Sequence, residues 1–242
     1  MVFCVMTNNK KKHSFFSRWF KNKQDSHWSQ NNLELRRAAD HPVIQCYTRP
    51  KAALIAEIIK GNKSARMLEC GAGSGFFTKA FAEYFDVTAL DLSAHMLSHN
   101  PHFKKVTGDA AALSFADSSF DIVALTNILH HMNQPGKAVS EASRVAKQYT
   151  VFIEPNRNNP LFFIYYFFRK SEWGAFKISP GYMKKLICSA DLKIVYAGTM
   201  GLITPNLTPV CMLPFLAWLE KHLPIPLRYY ILIIAEKKTD AD

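Results

Sequence analysis

Residues 68–81 read LECGAGSGFFTKAF and place three glycines, Gly71, Gly73 and Gly75, between an apolar run and a helix-like run. The apolar residues before the glycines predict a buried strand, and the residues after them predict a helix. Glycine adopts backbone conformations that other residues avoid, and it lets a ligand approach the main chain. The stretch therefore predicts a strand, a ligand-binding loop, and a helix whose first N–H groups point toward the ligand.

The alternation of strands and helices continues along the chain. Strands are predicted in ARMLECG, VTALDLS, FKKVTGD, FDIVALTNIL, YTVFIEPN, a sixth segment around 194–197, and RYYILIIAEKK. Helices are predicted in KAALIAEIIK, FFTKAFAEYF, AHMLSHN, PGKAVSEASRVA and SPGYMKKLICSADL. This order is typical of an α/β fold with a parallel, doubly wound sheet, in which ligands bind outside the carboxyl ends of the strands. The acidic residues Asp91, Asp109 and Glu154 follow three of these strands.

Two common ligands of glycine loops fit this loop poorly. A phosphate-binding P-loop needs Gly-Lys-Ser or Gly-Lys-Thr, but Phe76 and Phe77 follow Gly75. The dinucleotide fingerprint G-x-G-x-x-G needs a glycine at position 76, which leaves NAD as a weak alternative.

The spacing E-x-G-x-G-x-G from Glu69 to Gly75, together with GDAAALSFADSSFDIV further along, resembles the class I S-adenosylmethionine-dependent methyltransferases across residues 65–156. Patterns of the type EPNxxNP and SPxxxKxLxxxAxL extend the resemblance past this region. The resemblance implies a Rossmann-like, seven-stranded, mostly parallel sheet with an antiparallel last strand and helices on both faces. It also implies S-adenosylmethionine as the cofactor.

The resemblance assigns roles to particular residues. The glycine loop would pack on the methionine part of the cofactor with Glu69 near its amino group, Asp91 would bind the ribose hydroxyls, and Asp109 would lie beside the adenine amino group. The full set expected at the cofactor is Glu69, Gly71, Gly73, Gly75, Asp91, Leu92, Asp109, Ala110 and Asn127. Each has a structural alternative, because the glycines can form a tight turn and the two aspartates can cap the turns that follow them.

Methyl transfer to a hydroxyl or an acidic carbon requires a base, and histidine titrates closest to neutral pH. The segment NILHHM places His130 and His131 after the fourth strand, and His131 is slightly preferred as the catalytic residue. Glu154 is a further candidate for orienting the substrate, and its alternative role is to bind loop N–H groups. A structural or exposed histidine remains the alternative for His130 and His131.

Metal and disulfide sites are not expected. His95 and His99 have helical spacing, but Pro101 separates them from His102 and no carboxylate joins them at ligand spacing. The five cysteines form no CxxC pair and are odd in number. Cys70 lies in the glycine loop without a neighbouring base and is interpreted as a packing residue.

The segments outside the cofactor region suggest the acceptor and the partners. We expect a basic, aromatic N-terminal extension (1–40) and one methyltransferase domain (41–242), with its cofactor half at 65–156 and insertions at about 157–190 and 199–227. Because both insertions are rich in apolar residues, the expected acceptor is small or lipid-like and hydrophobic, and it would be methylated at O or C. Peripheral membrane contact is expected through 10–23 and 199–227, with a disordered tail and an ordinary hydrophobic cap as the respective alternatives. Three prolines between 205 and 214 argue against a transmembrane helix.

Charge and the N-terminal sequence bear on location. Six of the 30 Lys and Arg residues lie in 1–23, which has no acid, and the net charge is +11. The opening MVFCVMTNN lacks the features of a signal peptide, so a cytoplasmic, membrane-associated location is expected. TNILHHM differs from the Asn-Pro-Pro-aromatic motif of nucleic-acid amino methyltransferases, which argues against nucleic acid. The alternatives are a non-catalytic protein that binds the cofactor or S-adenosylhomocysteine, and a membrane-surface interaction protein.

Overall fold

The computed structural model describes residues 36–160, 170–222 and 228–238. Its helices are α1 (Pro42–Ile58), α2 (Phe76–Phe81), α3 (Ala94–Ser98), α4 (Pro135–Val145), α5 (Pro180–Cys188) and α6 (Leu213–His222). Its strands are β1 (Arg66–Cys70), β2 (Asp86–Asp91), β3 (Lys105–Thr107), β4 (Phe120–Thr126), β5 (Ala146–Pro155), β6 (Leu192–Met200) and β7 (Tyr230–Lys237). The predictions for 10–23, and for the parts of the insertions at 161–169 and 223–227, lie outside the described residues.

The seven strands form one sheet in the order β3-β2-β1-β4-β5-β7-β6. Neighbouring strands from β3 to β5 are parallel, whereas β7 runs antiparallel to both β5 and β6. The predicted fold class, with its antiparallel last strand, is confirmed. The chain leaves β1 toward β2 and later returns to β4 on the other side of β1. This reversal opens a crevice at the carboxyl ends of β1 and β4, where ligands bind in open α/β sheets.

Both faces of the sheet are buried. In β4, Ile122 and Ala124 join the cluster formed with α1 and α2, and Val123 and Leu125 join the cluster formed with α4 and α5. Side chains that alternate across a strand produce this division, and burial on both faces explains why β4 reads as an apolar run. Among the described helices, none is both long and apolar enough to cross a bilayer.

Several element boundaries differ from the prediction. α1 begins at Pro42, well before the expected KAALIAEIIK, because His41 Nδ1 accepts the N–H of Val43 at 3.2 Å and Pro42 fits the first helical turn. The helix then continues through Pro50. β3 ends at Thr107, two residues before Asp109.

The prediction of a fourth strand through Leu129 was wrong for its last three residues. Asn127 has a φ of 53°, which breaks the extended backbone. The N–H groups of Ile128 and Leu129 then bond to the carboxylate of Glu154 instead of a neighbouring strand. A side chain on β5 therefore ends β4.

Candidate functional site

The glycine loop between β1 and α2 requires its glycines. Gly71 has a φ of 84°, and a Cβ there would lie 1.8 Å from Ile128 Cγ2. Gly75 has a φ of 89°, and its Cβ would lie 2.5 Å from Asn100 Oδ1. A side chain at either position would therefore clash with a neighbour and adopt a strained backbone. The loop is held tightly against the segments that follow β4 and α3.

Asp91, the last residue of β2, bonds to the glycine loop. Its Oδ2 accepts the N–H of Gly73 at 2.8 Å, and its Oδ1 accepts the N–H of Ser93 at 2.9 Å. Burial raises the pKa of this carboxyl, and these hydrogen bonds and the charge of Arg36 oppose the rise. Ser93 caps α3 through its own hydroxyl, which accepts the N–H of Met96. Asp91 therefore lies beside Gly73 and also binds the N–H of Ser93 at the start of α3.

Glu69 lies beneath the loop, where it is 1% exposed. Thr78 Oγ1 donates to its Oε2 at 2.5 Å, and Thr126 Oγ1 lies 3.3 Å from its Oε1. Burial raises the pKa of Glu69 to about 7, although the two hydroxyls lower it. The Asn100 amide in turn donates to Thr78 Oγ1 at 3.0 Å. Glu69 thus belongs to a buried polar network that supports the loop from below.

Asp109 and Ala110 follow β3. Asp109 Oδ1 accepts the N–H of Ala111 at 2.9 Å, which forms a local turn, and Ala110 is buried. Gly108 N–H donates to the Asp91 backbone oxygen at 3.0 Å, so this turn lies next to the end of β2. The structure therefore brings Asp91, Leu92, Asp109 and Ala110 to the same edge of the sheet.

Asn127 follows β4 and connects to α1. Its side-chain amide donates to Tyr47 Oη at 3.1 Å, and its backbone N–H donates to the Ile153 oxygen at 2.8 Å. Tyr47 is 1% exposed and packs edge-on against Phe77 of α2. This arrangement ties α1 to the carboxyl end of β4.

Glu154 and His130 form a buried pair at the carboxyl end of β5. The Oε1 of Glu154 accepts the N–H groups of Ile128 and Leu129 at 2.9 and 2.8 Å. Its Oε2 lies 2.6 Å from His130 Nδ1. The side chains of Glu154 and His130 are 0% and 4% exposed. The alternative role of Glu154, binding of loop N–H groups, is thus present in the structure, together with an additional contact to a histidine.

His131 lies beside His130 with the ring centroids 3.9 Å apart, and it is half-buried. The more buried member of the pair is therefore His130, whereas His131 was slightly preferred as the predicted catalytic residue. The contact of His130 with Glu154 depends on the fold, because the two residues are 24 positions apart. No local sequence pattern could have identified it.

Two features fit the predicted cofactor. Ser74, within the loop, has a buried Oγ that has no hydrogen-bond partner among the described residues. A Cβ at Gly73 would lie 3.9 Å from Asp91 Oδ2, so the missing side chain leaves space beside the carboxylate. An unsatisfied hydroxyl and a carboxylate next to open backbone suit a ligand with a diol and several polar groups.

Known proteins resemble the part of the chain that contains these residues. Residues 68–153, which run from β1 into β5, match the model of the family described as methyltransferase domain. The match identifies these residues as similar to the methyltransferase domain, in line with the predicted resemblance to S-adenosylmethionine-dependent methyltransferases. This similarity implies S-adenosylmethionine as the cofactor, as predicted.

The curated relatives of this chain match over part of their length. The demethylmenaquinone methyltransferase of Renibacterium salmoninarum is 34% identical over 120 residues, which are 48% of this chain and 51% of that protein. The ubiquinone/menaquinone biosynthesis C-methyltransferase UbiE of Roseobacter denitrificans is 32% identical over 95 residues, which are 34% of this chain and 38% of that protein. The chain thus spans about half or less of the length of these relatives.

Solved structures match over a larger share of this chain. The YcgJ protein of Bacillus subtilis superposes with a TM-score of 0.57 at 18% identity, covering 78% of this chain and 99% of that chain. At this identity, the similarity supports the fold alone.

Three residues near the site were missed in the sequence. Arg36 lies near Asp91, with its guanidinium 5.6 Å from the Phe76 ring centroid. The Oη of Tyr47 accepts a hydrogen bond from the side-chain amide of Asn127. Lys51 lies one turn further along α1, and its Nζ donates to the backbone oxygen of Tyr47 at 2.6 Å. The helix that carries Tyr47 and Lys51 was predicted to begin only at residue 51. The spacing of Tyr47 and Lys51 at i and i+4 was the available signal.

No three His, Cys, Asp or Glu side chains converge as a metal site in ranges 36–160, 170–222 and 228–238. In the histidine cluster considered above, His99 Nδ1 lies 2.9 Å from the His95 oxygen, and His102 Nε2 lies 2.8 Å from the Val87 oxygen. The two rings therefore contact different backbone carbonyls.

Proposed function

We propose that this protein transfers a methyl group from S-adenosylmethionine to O or C of a small or lipid-like hydrophobic acceptor. The observation that carries the proposal is the contact between the glycine loop and the segment held by Glu154. Ile128 packs over Gly71 while its N–H donates to Glu154, the partner of His130. A proposed cofactor loop and a proposed acid–base pair therefore share one segment of backbone.

In this proposal, the residues at the ends of β1, β2, β3 and β4 hold the cofactor. Asp91 would accept hydrogen bonds from the ribose hydroxyls, and Gly73 and Ser74 would lie along the methionine part. Asp109 and Ala110 would lie at the adenine. When bound, the cofactor supplies a methyl group on positively charged sulfur, which needs no protein acid to leave. The remaining task of the protein is to orient the acceptor, exclude water and remove a proton.

Glu154 is proposed to orient His130 for that proton transfer. A carboxylate only accepts hydrogen bonds, so the bond to Glu154 places the proton of a neutral His130 on Nδ1. The lone pair of Nε2 is then the basic site of the ring. Glu154 acts as a positioning residue, and the half-buried His131 is the second candidate for the base.

The acceptor class is supported by the apolar insertions and by the relatives. The Renibacterium relative is named for demethylmenaquinone, and the Roseobacter relative for ubiquinone and menaquinone. We extend to this protein only the chemical class, a hydrophobic acceptor. The limits 1–40 and 41–242, the cytoplasmic location and the membrane contact of 10–23 and 199–227 belong to the same proposal.

The first test is calorimetric titration of S-adenosylmethionine and S-adenosylhomocysteine into wild type, Asp91→Ala and the surface control Asp117→Ala. We expect micromolar binding to wild type and the control, and weaker binding to Asp91→Ala. The absence of binding to wild type would contradict the proposed function.

The second test incubates the protein with methyl-labelled cofactor and a lipid extract, and follows label in the organic phase. Glu154→Gln and His130→Gln should retain cofactor binding and lose most of the transfer, with a changed pH profile for any residual activity. His131→Gln is the matched variant. If His131→Gln alone abolishes transfer, the base is His131 and the assignment of His130 is wrong.

A further inference from the structure

The segment after β6 exposes an unusual amount of apolar surface. Of the large hydrophobic residues that are exposed in the described part of the chain, more than half lie in residues 207–218. These are Leu207, Val210, Met212, Phe215 and Trp218, and each is 40% to 55% exposed. We name this group the insert face. Its concentration in one short segment distinguishes it from scattered surface hydrophobics.

Helix α6 carries apolar side chains on two sides. Leu213 and Leu216 pack against the core cluster below the sheet. Phe215 and Trp218 lie on the other side, with ring centroids 6.1 Å apart, and Trp218 contacts the ring of His222. The inner side therefore packs on the core, whereas Phe215 and Trp218 on the outer side are about half exposed in the described part of the chain.

The insert face lies at the edge of the sheet that carries the proposed site. β5 and β6 are both antiparallel to β7, so they run in the same direction and end at the same edge. Glu154 lies near the end of β5, and the insert begins at Gly201 directly after β6. Glu220 Oε1 accepts the N–H of Gly201 at 2.6 Å, which ties α6 to this edge.

Two described basic residues, Arg37 and Lys221, lie beside the insert. Arg37 Nη1 donates to the Pro205 oxygen at 3.0 Å, so the chain enters the described fold beside the insert. Residues 1–23, which precede this point, contain six Lys or Arg and no acid. The last turn of α6 adds Lys221. An apolar face beside basic residues, on a chain with a net charge of +11, is complementary to an anionic lipid surface. Self-association through this face is disfavoured because each copy has a net charge of +11.

We propose that the insert face binds the surface of an anionic lipid bilayer, with Phe215 and Trp218 in the interfacial layer. Aromatic side chains favour this depth, and the basic residues face the lipid headgroups. Binding in this orientation turns the carboxyl edge of the sheet toward the membrane. The inference deepens the proposed function, on which it rests, by making the bilayer the source of the hydrophobic acceptor.

The test is co-sedimentation of the full chain with vesicles of phosphatidylcholine alone or with about 30% phosphatidylglycerol, without cofactor. We compare wild type with Phe215→Ser/Trp218→Ser and with the control Phe103→Ser, since Phe103 is 80% exposed elsewhere. Wild type and control should bind the anionic vesicles, more weakly at high salt. The affinity of the double variant for anionic vesicles should fall by at least about tenfold, because two large apolar side chains are no longer transferred from water to the bilayer.

Three results would overturn the proposal: no binding of wild type to anionic vesicles, equal binding of the double variant, or a wild-type dimer in sedimentation velocity that the double variant abolishes. The last result would assign the face to a second copy of the chain. Circular dichroism verifies that the variants fold. The vesicle assay contains no cofactor. If wild type binds the cofactor in calorimetry but does not bind vesicles, only the proposed membrane-binding role of the insert face is rejected. If wild type binds vesicles but does not bind the cofactor, the proposed methyltransferase function is rejected, and binding of the insert face to anionic bilayers is supported.

Discussion

Replacing Lys51 with methionine is expected to stabilise the fold at acidic and neutral pH and to lose this advantage as the pH rises. Lys51 is 2% exposed in α1, where its Nζ contacts the Tyr47 oxygen and lies 4.1 and 5.1 Å from the ring centroids of Tyr47 and Tyr230. A Cβ on Gly201 would approach Nζ to 3.1 Å, so the amine is enclosed. Methionine has a similar length and carries no charge.

The magnitude follows from the pKa of Lys51. Burial lowers this pKa from 10.5 to about 7, although the charge of Glu220 opposes the shift. Between these values the unfolded chain binds more protons than the folded chain, so the stability of wild type rises with pH. Below pH 7 the full penalty is on the order of 5 kcal/mol, since one pKa unit corresponds to about 1.4 kcal/mol. From pH 6 to pH 9 the advantage of the variant should shrink by about 2 to 3 kcal/mol.

The assay is urea unfolding of wild type and Lys51→Met at pH 6, 7, 8 and 9, followed by circular dichroism. Taking the difference between the two proteins cancels the titration of groups that both contain, such as Glu69. Lys79→Met, at an exposed position of α2, is the matched control and should give a difference that varies little with pH. A Lys51→Met difference that stays constant within about 0.5 kcal/mol from pH 6 to pH 9 would refute the burial of a titrating amine.

Other predictions concern the loop and its carboxylates. Gly71→Ala should destabilise the fold by several kcal/mol, because its Cβ would overlap Ile128 at a φ of 84°, whereas Gly181→Ala, with nothing within 4 Å, should not; urea unfolding compares them. Burial raises the pKa of Glu69 from 4.5 to about 7, so the stability of wild type should fall as the pH rises through this range, by on the order of 3 kcal/mol. The stability of Glu69→Gln should not show this fall. If the free energies of unfolding of wild type and Glu69→Gln change with pH in parallel, the prediction is wrong. Asp91→Asn should weaken cofactor binding about 10- to 100-fold in calorimetry, and an unchanged affinity would remove Asp91 from the cofactor site.

Much of the sheet could be predicted because each strand and helix carries its own local signal. The glycine loop follows a buried strand, Asp91 ends the next strand, and Pro135 begins a helix, so the alternation of elements followed from patterns within short windows. The antiparallel last strand and the cofactor followed from the resemblance to a known family. The carboxyl edge collected the candidate residues because parallel strands end together.

The errors occurred where distant residues decide the local structure. Residues 127–129 read as strand, but Glu154 takes two of their N–H groups. The first helix was predicted to begin only at residue 51, yet it begins at Pro42 and continues through Pro50, with Tyr47 and Ile55 packed in the same core cluster. A lysine is usually exposed, but Lys51 is buried because Gly201, directly after β6, and the ring of Tyr230 enclose its side chain. These outcomes depend on tertiary contacts that no local pattern contains.

The junction of Gly71, Ile128 and Glu154 limits which single substitutions this protein can accept. A substitution that changes the segment after β4 to fit a new acceptor also changes the contact of Ile128 with the glycine loop. Selection for a new acceptor therefore tends to weaken binding of the proposed cofactor. The outer side of α6 touches neither Gly71 nor Glu154 through the contacts described. Adaptation to a different cellular surface can therefore proceed there by single replacements, while changes in chemistry require concerted replacements at the junction.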